Sequence, residues 1–269
     1  MVQHDRVAVV TGAARGIGAA TVLALATDGW SILAVDSAAD DPALPYPMAS
    51  AADLSGVVRR ANEGAVVPGR VRSFVADVRD PDAVRAAVAE AEHRWGGLDA
   101  AIAVAGVIAG GVPLWEVPLA QQQAVLDVNL GGVLSLARAA VPALLRRPAP
   151  RSGRFLAVAS AAATRGLPML AAYCAAKAGV AGLIRALAAE LADSGVTANA
   201  VSPGSTATPI LDESARLYEL PGAQAFASQQ PVRRLLDPAE VAAVLAFLAS
   251  PASSGMTGAI VPVDGGLAL

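Results

Sequence analysis

Short apolar runs recur along the chain, separated by longer stretches in which apolar and polar residues mix. The runs Arg6–Val10, Ser31–Val35, Val71–Val75, Ala100–Val104, Gly153–Val158, Thr197–Val201 and Ala259–Val263 have the length and composition of strands. Between them Ala19–Ala26, Pro81–Trp95, Leu119–Leu145, Ala171–Ala192 and Pro238–Ala249 read as helices, and one more starts near Asp53, a candidate N-cap. Pro81 suits a first helical turn, whereas the stretch 119–145 is interrupted by Gly131-Gly132 and Pro142. Regular alternation of strand and helix predicts an α/β fold with a parallel sheet covered on both faces. We expect one doubly wound domain of about seven strands over residues 1–269; no internal repeat and no linker divides it.

Two segments break the rhythm. Connections between a strand and the following helix usually take about 2–6 residues. Ser37–Ala52, SAADDPALPYPMASAA, has sixteen and is stiffened by Pro42, Pro45 and Pro47. Residues 210–232 mix apolar and polar groups without a clean period, and we expect a mobile substrate lid across 205–232.

Composition narrows the class. Of 269 residues, 55% are hydrophobic and 16% charged, with a net charge of −3. That supplies a large core and argues against a nucleic-acid partner. No run of about 18 apolar residues free of charge, Gly and Pro occurs, so no membrane-spanning helix is expected. The opening MVQHDR lacks an apolar h-region, so no signal peptide is expected. The single cysteine, Cys174, rules out an internal disulfide framework, and His4 and His93 are isolated, giving no basis for a His-based metal site. A cytoplasmic, enzyme-like domain is expected.

The candidate chemistry gathers at strand ends. Thr11-Gly-Ala-Ala-Arg-Gly-Ile-Gly18 follows the first strand and opens a helix, the context that makes a glycine-rich turn credible as a phosphate cradle. Gly12 permits the tight turn, Gly16 lets backbone approach a pyrophosphate at the helix N-terminus, and Gly18 allows close packing of helix on strand. Asp36 ends the second strand, where a carboxylate binds ribose hydroxyls and repels a 2′-phosphate. Arg15 points the other way, since a cation there could pair with that phosphate; we side with the fixed carboxylate. Asp77 and Val78 follow the third strand, at the crevice where open α/β sheets bind ligands. Asn129 lies in an apolar helix and is either solvated or part of a site.

Ser160, Tyr173 and Lys177 could act together. Tyr173 and Lys177 are four apart among strong helix formers, so they share one face a turn apart. An ammonium there favours the phenolate and is expected to pull the phenol below its usual value of about 10, making Tyr173 an acid/base. Ser160, past the fifth strand, could hold a carbonyl or alcohol oxygen beside it. Cys174 should point elsewhere, since one helical residue turns about 100°.

Together these motifs resemble the short-chain dehydrogenase/reductase family, in that family's order and over nearly the whole chain. The resemblance implies a Rossmann fold, NAD as cofactor and a small-molecule alcohol or ketone as substrate. It implies Tyr173 as general acid/base and Lys177 as the residue that lowers its pKa and bonds the nicotinamide ribose. Ser160 would steady the reacting oxygen, and Asn129 would hold a relay water. It implies cofactor contacts from Gly12, Arg15, Gly16, Ile17 and Gly18 in the turn, and from Asp36, Asp77 and Val78 on the adenosine side. Ala105, Gly106, Pro203, Gly204, Thr206 and Thr208 would contact the nicotinamide side. A homotetramer packed through helix 171–192 and the helix around Asn129 is also implied.

The chain departs from the family pattern in two places. Ala103-Val104-Ala105-Gly106 stands where the family usually has Asn-Asn-Ala-Gly, which removes side-chain hydrogen bonds. The second is the insertion after Asp36. Both resemble the actinobacterial, carveol-dehydrogenase-like branch whose members are coupled to mycofactocin, an external redox carrier. The apolar residues Leu167, Met169, Leu211, Leu217 and Phe226 suggest a hydrophobic alcohol or ketone. The competing readings are an NADP-dependent carbonyl or ketoacyl reductase, resting on Arg15, and a non-catalytic dinucleotide-binding redox sensor, which need not keep Ser160, Tyr173 and Lys177.

Overall fold

The computed structural model describes residues 6–269; residues 1–5, with His4 and the expected absence of a signal peptide, lie outside the described residues. Seven strands form one parallel sheet: β1 (Val7–Thr11), β2 (Ser31–Asp36), β3 (Val71–Val75), β4 (Ala100–Ala103), β5 (Gly153–Val158), β6 (Val196–Pro203) and β7 (Ile260–Val263). Their order is β3-β2-β1-β4-β5-β6-β7. β1 pairs in register with β2 on one side (Val9 with Leu33) and with β4 on the other (Val9 with Ala101). The chain therefore winds outward in both directions from β1, and the crevice above the β1/β4 boundary is where such sheets take ligands.

The helices are α1 (Gly16–Thr27), α2 (Ala51–Gly64), α3 (Pro81–Trp95), α4 (Leu119–Leu126), α5 (Gly132–Arg146), α6 (Ala171–Glu190), α7 (Pro209–Leu217) and α8 (Pro238–Ala249). One face of the sheet, with Val9, Leu33, Ala101 and Phe155, packs against residues of α3, α4, α5 and α6 such as Val88, Val125, Leu136 and Ile184. The other, with Val10, Ile32, Ile102 and Leu156, packs against α1, α2 and α8 through Val22, Leu54 and Leu245. This is the single doubly wound α/β architecture the apolar runs predict.

The boundaries differ where turn chemistry overrides propensity. α1 begins at Gly16, three residues before the first good helix former. α2 begins at Ala51, and its N-cap is Ser50, not Asp53. Ser50 Oγ accepts from Asp53 N at 3.2 Å while Asp53 Oδ2 accepts from Ser50 N at 2.8 Å, so Asp53 is the reciprocal partner of a capping box. The stretch around Gly131-Gly132 does not break: a π-turn over Asp127–Gly131 joins α4 to α5. Pro142 is accommodated inside α5. Residues 210–232 fold as most of α7 followed by a 3-10 segment, Ala223–Gln229. Two helical stretches, Leu119–Arg146 and Ala171–Glu190, are long and apolar enough to cross a membrane by length and composition. Here the first is half buried within the fold, and both contribute to the core.

Gly12 has φ +67°, and a Cβ there would lie 2.5 Å from the backbone nitrogen of Ala105. A Cβ on Gly18 would overlap the carbonyl oxygen of Gly12. Gly18→Ala is therefore expected to cost about 1–3 kcal/mol and to lower the melting temperature by several degrees in calorimetry. An unchanged melting temperature would show that the turn has slack.

Candidate active site

The turn after β1 delivers backbone donors. Arg15, the N-cap of α1, is extended (φ −154°), its side chain caps nothing, and no acidic residue occupies the first turn. Gly16, Ile17 and Gly18 line a cavity of about 630 Å³ above the β1/β4 boundary, within the usual span for ligand sites of about 300–1,000 Å³. Their N–H groups and the positive end of the helix dipole suit an anion there.

Asp36 is fixed at the rim of this turn. Its Oδ2 accepts from Ala14 N at 3.0 Å and its Oδ1 from Ala38 N at 3.1 Å, leaving lone pairs for hydroxyl donors. Arg15 is tied elsewhere: its Nη1 donates to Pro47 O at 2.9 Å and its Nη2 to Met48 Sδ at 3.8 Å. Asp77 and Val78 line the same end. Burial works against the Asp77 charge, but hydrogen bonds from Arg79, at 3.0 Å from Nε and 2.6 Å from Nη2, outweigh it and hold the carboxyl below its ordinary value.

At the other end stand Ser160, Tyr173 and Lys177. Ser160 Oγ accepts from Ala162 N at 3.1 Å, starting a 3-10 turn over Ala161–Ala163, and is hydrogen-bonded to the Tyr173 hydroxyl. Lys177 Nζ lies 5.7 Å from the Tyr173 ring centroid and donates to Val158 O at 2.8 Å. Burial dominates both groups. It raises the Tyr173 phenol, with the Ser160 hydrogen bond pulling it part of the way back. It pushes the Lys177 ammonium down to about 8. The expectation that Lys177 draws the phenol below its usual value is thus corrected: desolvation disfavours the charged form of each. Cys174 is half-buried, and its Sγ faces Leu167 O at 3.9 Å.

Seventeen of the eighteen candidates line this one cavity, Ala105 and Gly106 after β4 and Pro203, Gly204, Thr206 and Thr208 after β6 included. Asn129 does not. It is fully buried in the π-turn, its Oδ1 accepting from Val107 N at 2.8 Å and its Nδ2 donating to Val107 O at 2.8 Å. These bonds use one donor and one acceptor of the amide, and through them the side chain holds the segment after β4. Thr11 Oγ1 accepts from Val104 N at 3.3 Å in the same segment, at the position where Ala103-Val104 departs from the family pattern. Of the apolar candidates, Leu167, Leu211 and Phe226 line the cavity. Met169 and Leu217 do not; the Met169 carbonyl lies where a Cβ on Gly110 would stand, and Leu217 packs closely at Gly111.

Sequence reasoning missed Arg79 and the bond that anchors Tyr46. Arg79 Nη1 also bonds Asp41 Oδ2 at 2.6 Å, so one guanidinium joins the insertion to Asp77. Tyr46 Oη accepts from Ile108 N at 2.9 Å, and burial pushes its phenol up to about 12. The acid pair Asp40-Asp41 inside an otherwise apolar, Pro-rich insertion was the available signal. The insertion thus covers rather than leaves the cavity: Leu44, Tyr46 and Met48 pack on the core, while Ala39, Asp41 and Met48 line the pocket.

These residues fit a dinucleotide. A Cβ at Gly16 would come within 3.2 Å of Thr208 Cγ2, closing the space between the turn and the end of β6. The cavity offers uncapped amides for phosphates, a fixed carboxylate for a ribose, and an acid/base pair at its far end.

The family model described as enoyl-(acyl carrier protein) reductase matches residues 12–268. The chain is 39% identical to cis-4-hydroxycyclohexanecarboxylate dehydrogenase of Sinomonas cyclohexanicum over 97% of its own length and 96% of the relative's. It is 34% identical to a 3-oxoacyl-(acyl-carrier-protein) reductase of Thermotoga maritima over 99% of each chain. The crystal structure of carveol dehydrogenase from Mycobacterium avium in complex with NAD superposes with a TM-score of 0.90, at 32% identity and covering 97% of both chains.

The buried Lys177 has a signature in stability. Its folded value of about 8 lies below the ordinary 10.5. Between the two the unfolded chain binds a proton that the folded one does not, so this residue adds stability as pH rises through that window. Relative to Lys177→Met, wild type should gain up to about 3 kcal/mol between pH 8 and 10.5 in urea melts. A difference independent of pH would mean that Lys177 titrates normally.

Proposed function

Since the chain belongs to the short-chain dehydrogenase/reductase family of oxidoreductases, we propose that it transfers a hydride between NAD and a hydrophobic secondary alcohol or ketone, in the cytoplasm. The observation that carries this reading is the convergence of Ser160, Tyr173 and Lys177 on the cavity that also receives the glycine turn. When bound, the nicotinamide supplies the hydride chemistry. Tyr173 holds the proton: its hydroxyl gives it to the oxygen of a ketone, or its phenolate takes it from an alcohol. Ser160 orients that oxygen by hydrogen bonding to it and to Tyr173. Lys177 donates from beneath α6 and steadies the phenolate whenever Tyr173 has given up its proton. Asn129 acts as a positioning residue through Val107. Walls from Leu167, Leu170, Ile210, Leu211 and Phe226 exclude water and favour an apolar body. The ring alcohols in the names of relatives support a cyclic one.

NAD rather than NADP is supported by Asp36, by the capture of Arg15 on Pro47 and Met48, and by the NAD-bound carveol dehydrogenase. The insertion supports a further step in the reading, that NAD stays bound through many turnovers and passes electrons to an external carrier such as mycofactocin. Exposed Trp115, Leu119 and Leu134 on the segment from the turn before α4 to α5 support a homotetramer packed through that face and α6.

Tyr173→Phe should lower kcat by about 10²–10⁴-fold in spectrophotometric assays while leaving NAD binding intact. A variant keeping more than about a tenth of wild-type kcat would remove Tyr173 from the proton step.

Shortening the loop between Ala39 and Ser50 removes the Arg79, Ile108 and Arg15 attachments together. The intact protein should retain NAD through extended dialysis, read by chromatography of the acid extract. The shortened form should lose it and discriminate less against NADP. Free exchange by the intact protein, or equal retention by both, would exclude a retaining role.

A further inference from the structure

The cavity carries seven charged side chains, and they are unevenly distributed. Its three carboxylates, Asp36, Asp41 and Asp77, all belong to the adenosine end, where Asp36 is held by backbone amides and the other two by Arg79. Of the four cations, Arg15 is bound to the insertion, Arg79 is neutralised, and Lys177 lies buried beneath Tyr173. The fourth is Arg165. It lines the substrate end among Leu167, Pro168, Leu211 and Phe226, it is exposed, and no carboxylate of the described residues pairs with it. Its side chain makes one hydrogen bond, from Nη1 to Leu267 O at 2.8 Å. Four guanidinium N–H groups remain, enough for a fork onto a carboxylate.

Its place relative to the reacting atoms is fixed by backbone. Ser160 caps the 3-10 turn Ala161–Ala163, and the amides of Thr164 and Arg165 both bond Ala161 O, at 3.2 and 2.9 Å, which ties Arg165 to the turn that Ser160 begins. Ser160 and Arg165 line the same cavity, so a substrate whose oxygen meets Ser160 can present an anion to Arg165. The Leu267 bond restrains the guanidinium at the mouth of the cavity, so less freedom is lost when an anion binds.

We propose that Arg165 is a substrate anchor, and that the preferred substrate is an alcohol or ketone carrying a carboxylate remote from the reacting carbon. The proposal rests on the reading of this cavity as the site of hydride transfer. The competing role for Arg165 is a strut that holds the C-terminal segment through Leu267.

Two measurements separate these. The first compares kcat/KM for a 4-hydroxycyclohexane carboxylate and for its methyl ester, in wild type, Arg165→Gln and Arg165→Lys. Wild type should favour the acid by about tenfold or more, with the preference shrinking at high salt because the guanidinium is exposed. Arg165→Gln should abolish the preference and leave the ester within about twofold of wild type, and Arg165→Lys should retain part of it. No preference in wild type, or equal losses for acid and ester in Arg165→Gln, would overturn the anchor in favour of the strut. The second is calorimetric binding of cyclohexanecarboxylate, which has no alcohol to oxidise, to the NAD-loaded protein. Weakening by about tenfold in Arg165→Gln supports the anchor even if no alcohol is turned over, a result that would count against the dehydrogenase reading alone. Equal binding by wild type and Arg165→Gln would overturn the anchor even if the ester is oxidised normally.

Discussion

No side chain can stand where the turn after β1 meets the end of β4, and much of the site follows from that exclusion. Gly12 lies against the backbone of Ala105, and Gly18 against the carbonyl of Gly12. Only with both positions bare can α1 start so close to the sheet that its free amides open on the crevice. The same proximity brings Ala14 N to Asp36, so one steric condition sets the glycine turn and the Asp36 carboxylate together. Thr11 and Asn129 then hold the facing edge, each through a backbone group of the segment after β4.

Electrostatically the two ends of the cavity are opposites. Around the adenosine end, charge is abundant and internally satisfied: Arg79 serves two carboxylates, and Asp36 has two amides. At the reacting end, charge is scarce, and apart from the exposed Arg165 it is buried. Tyr173 and Lys177 are both displaced toward their neutral forms, a state that suits an acid/base whose proton must be given up or taken on as an oxygen changes charge. The apolar walls that produce these shifts are the same walls that would receive an apolar substrate.

Much of this was legible in the chain itself. Apolar runs of strand length located all seven strands, and for β1, β2, β4, β5 and β6 the reason is burial on both faces, which leaves little choice of residue. β3, β5, α3 and α8 fell on their predicted bounds, and the glycine turn, Asp36, Ser160, Tyr173 and Lys177 could be picked out because their chemistry depends on spacing along one element. What could not be read depends on contacts between elements. Arg79 belongs to Asp77 and Asp41 only once the insertion has folded back across β3. Asn129 is bonded twice to Val107, from a different segment. The direction of the Tyr173 shift needed the depth of burial, which a helix-face argument does not contain. Met169 and Leu217 looked like wall residues by composition, but neither lines the cavity.

The π-turn between α4 and α5 also has a consequence for register. It fits one extra residue into a helix without ending it, so everything downstream is rotated by about 100° relative to the face upstream. α4 and α5 therefore share an axis but not a phase, and no single helical wheel describes 119–146. Deleting one residue from Asp127–Gly131 would keep the helix and lose the alignment: either the inward stripe of α5 or the aim of Asn129 at Val107 could be preserved, not both.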